Sequence, residues 1–212
     1  MLFRSYKANR KKNIEKSELD WKNIFEVMNK LRSELKDNFP YKVINIETAE
    51  ADDIIASLVM KIRDEQILIL SMDKDFIQLH TYDNVKQYDP VHKTWINHNN
   101  PSLFLKEHII KGDFGDGIPN VLSPDNCLVI GERQKPVTKK RLDKLMQMID
   151  DEVVQRNYDR NKQLIDLSMV PLYIQEKVMD EYINQPIKDR SKLLNYFISN
   201  KLKNLTEHIM EF

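Results

Sequence analysis

From Trp21 onward, apolar residues recur every three or four positions: Trp21, Ile24, Phe25, Met28, Leu31 and Leu35. That spacing places them on one helix face. Ser17 opens S-E-L-D, a capping-box pattern ahead of such a run, and Asn38-Phe39-Pro40 ends it. Tyr41 to Ile46 predicts a short strand. Thr48 is the expected cap of the next helix, whose inward stripe is Ala51, Ile54, Ile55, Leu58, Val59 and Ile62. Gln66 to Met72 is almost continuously apolar, the pattern of a parallel strand covered on both faces. Short strands at Val85 to Tyr88 and Thr94 to Ile96 flank the Asp89-Pro90 turn. Pro101, at a first helical position, opens a helix that runs to Ile110. Beyond a glycine-rich loop, helices are predicted at Pro136 to Ile149, Glu152 to Tyr158 and Lys192 to Leu205. The expectation is an α/β fold. It has a mostly parallel central sheet with flanking helices in residues 1–100 and a helical region in residues 101–212, packed as one unit.

Composition narrows the classes. The chain has 212 residues, and 33 Lys and Arg balance 33 Asp and Glu. Bulk attraction to a polyanion is excluded, so any basic face is local. Cys127 is the sole cysteine, which excludes an intrachain disulfide and suits a reducing compartment. The longest strongly apolar run, Ile67 to Leu70, is far short of the roughly 20 residues that span a bilayer. The basic N-terminus has no apolar stretch of the signal-peptide kind.

The informative residues are carboxylates at the ends of elements. Glu50, Asp52 and Asp53 fall in the first turn of a helix. Asp73 and Asp75 follow the apolar strand in S-M-D-K-D-F, and Asp113 and Asp116 lie in G-D-F-G-D-G. A parallel sheet gathers its strand ends on one edge, where open α/β sheets bind ligands. Carboxylates brought together there repel one another unless a cation compensates. Hard oxygen ligands select Mg²⁺ or Mn²⁺, and two such ions can flank a scissile phosphate. Taken singly, each group also has an ordinary explanation as a helix start, a cap or a turn. Phosphoryl-aspartate enzymes share the Asp73-x-Asp75 pattern but place it after the first strand. His80, His92, His98, His108 and His208 lack compact ligand spacing and are expected at the solvent or as local hydrogen-bonding groups. Cys127 is expected as a small buried hydrophobe.

Two basic stretches accompany the acidic ones. Arg4, Lys7, Arg10, Lys11, Lys12 and Lys16 interleave with Phe3 and Tyr6. They suit a solvated helix surface or an arm that contacts phosphates and stacks bases. Arg133, Lys135, Lys139, Lys140, Arg141 and Lys144 enter a helix after a turn, a layout for non-specific phosphate binding.

E-A-D-D at Glu50–Asp53, S-M-D-K-D-F at Ser71–Phe76 and G-D-F-G-D-G-I-P-N-V at Gly112–Val121 resemble the acidic signatures of the structure-specific 5′-nuclease (flap endonuclease) family. F-R-S-Y-K-A-N-R at Phe3–Arg10 is similar to the basic motif near that family's helical arch. Val85-Lys86-Gln87, His92-Lys93-x-Trp95, Gly131-Glu132-Arg133 and the terminal Glu211-Phe212 look like its ribonuclease H type from T-even-type bacteriophages. The resemblance implies a PIN-like 5′-nuclease fold with a helix–three-turn–helix-like DNA-binding element. It implies a Mg²⁺-dependent 5′–3′ exonuclease and flap endonuclease, with Mn²⁺ able to substitute. Such an enzyme removes RNA primers and 5′ flaps during phage DNA replication in the host cell cytoplasm. Glu50, Asp52, Asp73, Asp75 and Asp113 are then expected as catalytic metal ligands; Asp53 is expected in the metal site either as a further ligand or behind the ligands, and Asp116 as assisting Asp113. Lys7 and Arg10 are expected to stabilise phosphate charge. Arg4, Lys11, Lys12, Arg133, Lys135, Lys139 and Lys140 are expected to bind DNA. The implied substrates are branched or flapped DNA and RNA–DNA hybrid, and the implied partners are a single-strand-binding protein and a sliding clamp. Ile209, Met210 and Phe212 are candidate anchors for such a partner.

Two departures shape the expectation. Val129-Ile130-Gly131-Glu132-Arg133 differs from the family's G-x-G form, which disfavours a bound monovalent cation there. The family begins with a central strand bearing a metal-binding aspartate, and a second aspartate precedes the basic motif, whereas this sequence starts near that motif. The expected molecule is therefore N-terminally incomplete, an α/β nuclease core with a basic arch remnant. Two ions are expected in an assembly with a separate N-terminal segment, and at most one bound well by this chain. The alternatives are a catalytically impaired DNA-binding fragment and a structural remnant.

Overall fold

The computed structural model describes Phe3, residues 6–186 and residues 188–212. Three helices lead into the sheet: α1 (Ala8–Lys16), α2 (Trp21–Asn38) and α3 (Ala51–Lys61). Among the described residues the sheet has three strands in the order β1 (Ile67–Leu70), β2 (Val85–Asp89) and β3 (Thr94–Ile96). β1 runs parallel to β2, with Ile67 opposite Val85. β3 runs antiparallel to β2, with Trp95 opposite Tyr88. The expected mostly parallel central sheet is thereby corrected to a small mixed sheet in a mostly helical protein. The physical reason is visible in β1. Ile69 is buried, but Leu68 and Leu70 on the other face are 50% and 63% exposed. An apolar run announces a strand without guaranteeing cover on both of its faces.

Residues 41–46, expected as a strand, belong to no ladder. The Gln185 side chain takes the place of a neighbouring strand. Its amide donates to the Val43 carbonyl at 3.0 Å and accepts the Val43 N–H at 2.9 Å. Two caps also differ from expectation. Asp20 caps α2, accepting the Asn23 N–H at 3.1 Å, while Ser17 accepts from Leu19 outside the helix. Glu50 is the N-cap of α3, and Thr48 sits at φ 71° instead. The stripe on α2 is regular, but no residue of that helix is buried.

After the sheet come α4 (Pro101–Lys111), α5 (Cys127–Ile130), α6 (Lys139–Gln147) and α7 (Glu152–Ile165). They are followed by α8 (Leu172–Asn184), α9 (Leu193–Ser199) and α10 (Lys203–Glu207). Where a helix–three-turn–helix-like element was expected, the one-turn α5, which buries Cys127, connects to α6 through irregular residues 131–138. The expected continuous helix from Lys192 to Leu205 breaks at Lys201, which adopts φ 56°. No helix among the described residues is long and apolar enough to cross a membrane.

The two halves of the chain share their cores. Ala56 and Val59 of α3 cluster with Ile69, Phe76, Leu79 and Val85, and Leu167 joins them from beyond α7. On the other side of α3, Ile54 and Leu58 meet Ile174 and Val178 of α8. A separate aromatic cluster closes the C-terminus. The ring of Phe212 stands edge-on to Phe39 and Phe197 at 5.9 and 5.3 Å. Ile209 and Phe212 are thus partly buried against this cluster, and of the expected anchors Met210 is the most exposed, at 80%.

A buried polar contact also ties the halves together. Gln78 lies in a 3₁₀ helix (Lys74–Thr81) and is buried. Its side chain donates to the Ile165 carbonyl at 3.1 Å and accepts the Leu167 N–H at 2.8 Å. Gln78→Leu preserves bulk but strands both backbone groups. The expected cost is about 2–4 kcal/mol, read from urea unfolding. Wild-type stability in this variant would contradict the assignment.

Candidate functional site

The three acidic segments meet at one cleft of about 1010 Å³. Glu50 and Asp52 reach it from the start of α3, Asp73 and Asp75 from the end of β1, and Asp113 and Asp116 from the loop after α4. Lys7 and Arg10 line it from α1 and the turn before it. Glu107 of α4 also lines it, paired with Lys111 at 2.6 Å.

Local chemistry explains each placement. Buried Gln87 on β2 donates its side-chain amide to the carbonyls of Ser71 and Asp73 at 2.8 and 2.6 Å. This pins the chain where it leaves β1. Asp73 then accepts the Asp75 N–H at 3.0 Å and caps the 3₁₀ helix. In the loop after α4, Gly112 has φ +67°, and a Cβ there would meet the Ile118 carbonyl at 2.5 Å. Only glycine fits that turn. The loop closes through the Ile118 N–H, which donates to the Asp113 carbonyl at 2.7 Å. The Asp116 N–H donates to Asp113 Oδ1 at 3.1 Å. Asp53, expected near the metal, turns back instead and accepts the Glu50 N–H at 3.0 Å. It does not line the cleft.

His108, expected at the solvent or as a local hydrogen-bonding group and not as a metal ligand, lies within the site. Its Nδ1 is 3.3 Å from Asp75 Oδ1 and its Nε2 is 3.6 Å from Asp113 Oδ2. Asp75, His108 and Asp113 each offer one ligand atom, all within 4.8 Å of one another. The only sequence signal was position: the histidine stands at the end of the helix that runs into the acidic loop. The donor chemistry, carboxylate oxygens plus one imidazole nitrogen, suits a divalent cation.

Burial and like charge set the electrostatics. Burial, reinforced by Asp73, Asp113 and Asp116 and opposed by His108, pushes Asp75 up to about 6. Burial also raises Asp52, with Asp53 and Glu50 adding to it. It raises Asp116 as well, against the pull of Lys7 and Arg10. The hydrogen bond to His108 holds Asp113 below the usual carboxylate range, and the same bond raises His108 against burial. At the outer end of the cleft, Lys7 pairs with Glu50 and lies 3.7 Å from Asp116. Arg10 also pairs with Asp116. Burial alone would lower the Lys7 ammonium, but hydrogen bonds to Glu50 and Tyr6 outweigh it and keep Lys7 charged.

The expected DNA-binding residues lie elsewhere. Arg133, Lys135, Lys139 and Lys140 are exposed along residues 131–138 and the start of α6. Arg133 and Lys135 border a shallow hollow beside Phe114. Arg4 and the side chains of Lys11 and Lys12 lie outside the described residues.

The position of Asp75 makes a stability prediction. Its folded-state value of about 6, against 3.8 ordinarily, means that the folded protein holds this proton more tightly. Stability therefore falls as pH rises from about 4 to about 6. In EDTA at pH 7.5, Asp75→Asn should be more stable than wild type by at most about 3 kcal/mol, while losing Mn²⁺ affinity. The advantage should vanish near pH 4. A variant less stable than wild type at pH 7.5 would contradict the charge assignment.

Comparisons with known proteins agree with this arrangement. Residues 1–110 match the family model of the 5′-3′ exonuclease N-terminal resolvase-like domain, and residues 100–212 match that of the T4 RNase H C-terminal region. Ribonuclease H of Enterobacteria phage T4 is 35% identical over 98% of this chain and 72% of its own length. A 5′-3′ exonuclease of Buchnera aphidicola (subsp. Schizaphis graminum) is 31% identical over 57% of this chain and 42% of its own length. The fold resembles that of the T5 D15 protein, co-crystallized with metal ions, at a TM-score of 0.59 and 20% identity, covering 84% of this chain and 78% of that one. The match from residue 1 corrects the expectation of a missing N-terminal part, because the N-terminal domain of the family is represented in this chain. With both domain types matched and the carboxylates gathered on one cleft, the chain belongs to the 5′-3′ exonuclease and flap endonuclease family of metal-dependent nucleases, of the T4 ribonuclease H type.

Proposed function

We propose that this nuclease removes RNA primers and 5′ flaps during phage DNA replication in the host cell cytoplasm, cutting flapped DNA and RNA–DNA hybrid with Mg²⁺. The observation that carries the reading is the convergence of Glu50, Asp52, Asp73, Asp75, Asp113 and Asp116 on one cleft beside Lys7 and Arg10. Asp75, His108 and Asp113 hold one ion, and Glu50, Asp52 and Asp73 hold a second. Bound divalent cations supply positive charge and Lewis acidity at a scissile phosphodiester. The remaining work falls to the chain itself. Lys7 and Arg10, already facing the carboxylates, meet phosphate charge as it develops. Asp116 holds both of these basic groups in the cleft. Asp53 acts only by capping α3. Arg133, Lys135, Lys139 and Lys140 neutralise phosphates of the duplex beyond the cut. A sliding clamp or single-strand-binding protein would find Leu194, Ile198 and Met210 exposed on the C-terminal helices.

Cleavage of 5′-flap DNA and of RNA–DNA hybrid tests the reading. Activity should need Mg²⁺ or Mn²⁺ and stop in EDTA. Asp73→Asn and Asp113→Asn should each lose more than about a hundredfold in rate, whereas Asp53→Asn should lose stability more than rate. Persistent cleavage in EDTA, or a fully active Asp113→Asn, would sink it. Calorimetric titration with Mn²⁺ counts the ions, and Glu50→Gln should remove one site while Asp75→Asn removes the other. Replacing Lys139 or Lys140 with Ala should weaken binding to all duplex sequences alike and reduce the salt slope by about 1. An unchanged slope would place the phosphate contacts elsewhere.

A further inference from the structure

α4 ends at the acidic loop, and the last carbonyls of a helix have no partner inside it. The His108 carbonyl takes the Gly112 N–H at 2.8 Å, and the Ile110 carbonyl takes the Val121 N–H at 3.1 Å. Between them, the Ile109 carbonyl receives the side-chain amide of Asn161 at 2.9 Å. The same Nδ2 donates to the Pro119 carbonyl, also at 2.9 Å. Asn161 stands on α7 and is fully buried. One amide group therefore joins the two stems of the loop that carries Asp113 and Asp116.

The amide has a fixed orientation. Arg160 donates through Nε and Nη2 to Asn161 Oδ1 at 3.0 and 2.8 Å, which leaves Nδ2 facing the two carbonyls. Arg160 also reaches the Pro119 carbonyl at 3.2 Å. One turn earlier the pattern repeats, since residues 156–161 read R-N-Y-D-R-N. Arg156 donates to Asn157 Oδ1 at 2.8 Å, and Asn157 donates to the Val121 carbonyl at 2.9 Å. That second pair grips the chain farther from the acidic loop. It lies next to Asn120, whose side chain donates to the Lys135 carbonyl at 2.9 Å. The two asparagines are alike in burial and bonding but differ in what they hold.

We propose that Asn161, oriented by Arg160, is a positioning residue of the nuclease site, clamping the loop stems so that Asp113 and Asp116 face the cleft. It does not line the cleft itself. The inference rests on the cleft being the metal site and adds the part that keeps one of its walls in register.

The test compares Asn161→Ala with Asn157→Ala. Amide hydrogen exchange is followed at Asp116 and Ile118, whose N–H groups close the loop on Asp113, and Mn²⁺ affinity is measured by calorimetry. In Asn161→Ala both amides should lose protection, and Mn²⁺ should bind about tenfold more weakly, as expected when support behind a ligand is removed. Asn157→Ala should lose comparable stability and keep both loop protection and Mn²⁺ affinity. Wild-type loop protection in Asn161→Ala would overturn the proposal. So would equal loosening of the loop in Asn157→Ala. Should Asn161→Ala fail to fold, Arg160→Gln retains the amide but frees its orientation, and it carries the same expectation and the same overturning result. If wild type binds no Mn²⁺, the metal-site reading fails, while the exchange comparison still decides the positioning role.

Discussion

Mutual repulsion among carboxylates in a partly dry cleft is the interaction to which the rest of the structure answers. Asp75, Asp113 and Asp116 face one another across the cleft with Asp52 and Glu50 nearby. Burial raises the pKa of Asp52, Asp75 and Asp116. The fold supplies Lys7 and Arg10 at Glu50 and Asp116 and sets the imidazole of His108 between Asp75 and Asp113. The backbone is held by neutral groups that leave the carboxylates free. Gln87 grips the end of β1, and Gly112 permits a turn no other residue can make. Charge is thus concentrated where chemistry needs it, and neutral hydrogen bonds carry the cost of keeping it there.

Part of this was legible in the sequence. The acidic segments stand out because their chemistry is local: each sits at the end of an element, where a carboxylate must either cap or bind. Capping and binding look alike in one dimension: Asp53, expected either as a ligand or behind the ligands, closes the first turn of α3. His108 was hidden for a different reason. Its five-residue separation from Asp113 spans a helix end and a left-handed glycine, so it matches neither helical nor strand periodicity. Gln87 and Gln78 were invisible, since the backbone groups they satisfy are remote in sequence. α8 was missed although Pro171 stands directly before it and its buried Ile174 and Val178 lie four residues apart, a helical spacing.

The fold was less legible than the site. Periodicity found α2, α3, α4 and the strand pairs, yet it says nothing about what covers a face. α2 has a clear stripe with nothing buried, and β1 hides one side only. The parallel sheet inferred from β1 therefore shrank to three mixed strands. The expectation of a missing N-terminal part is corrected in the same way, since residues 1–110 match the family's N-terminal domain.

Cys127 gives the molecule a built-in clock. It is the only thiol in the chain, 1% exposed at the start of α5, and burial pushes its pKa up. A protonated, covered thiol is inert towards alkylating reagents. Its reaction therefore waits on the opening of the span between the acidic loop and the basic stretch of residues 131–138. The readout needs no introduced label and meets no competing sulfhydryl. Where reclosing outpaces alkylation, the rate at which the native protein consumes such a reagent reports the equilibrium population of the form in which α5 is open.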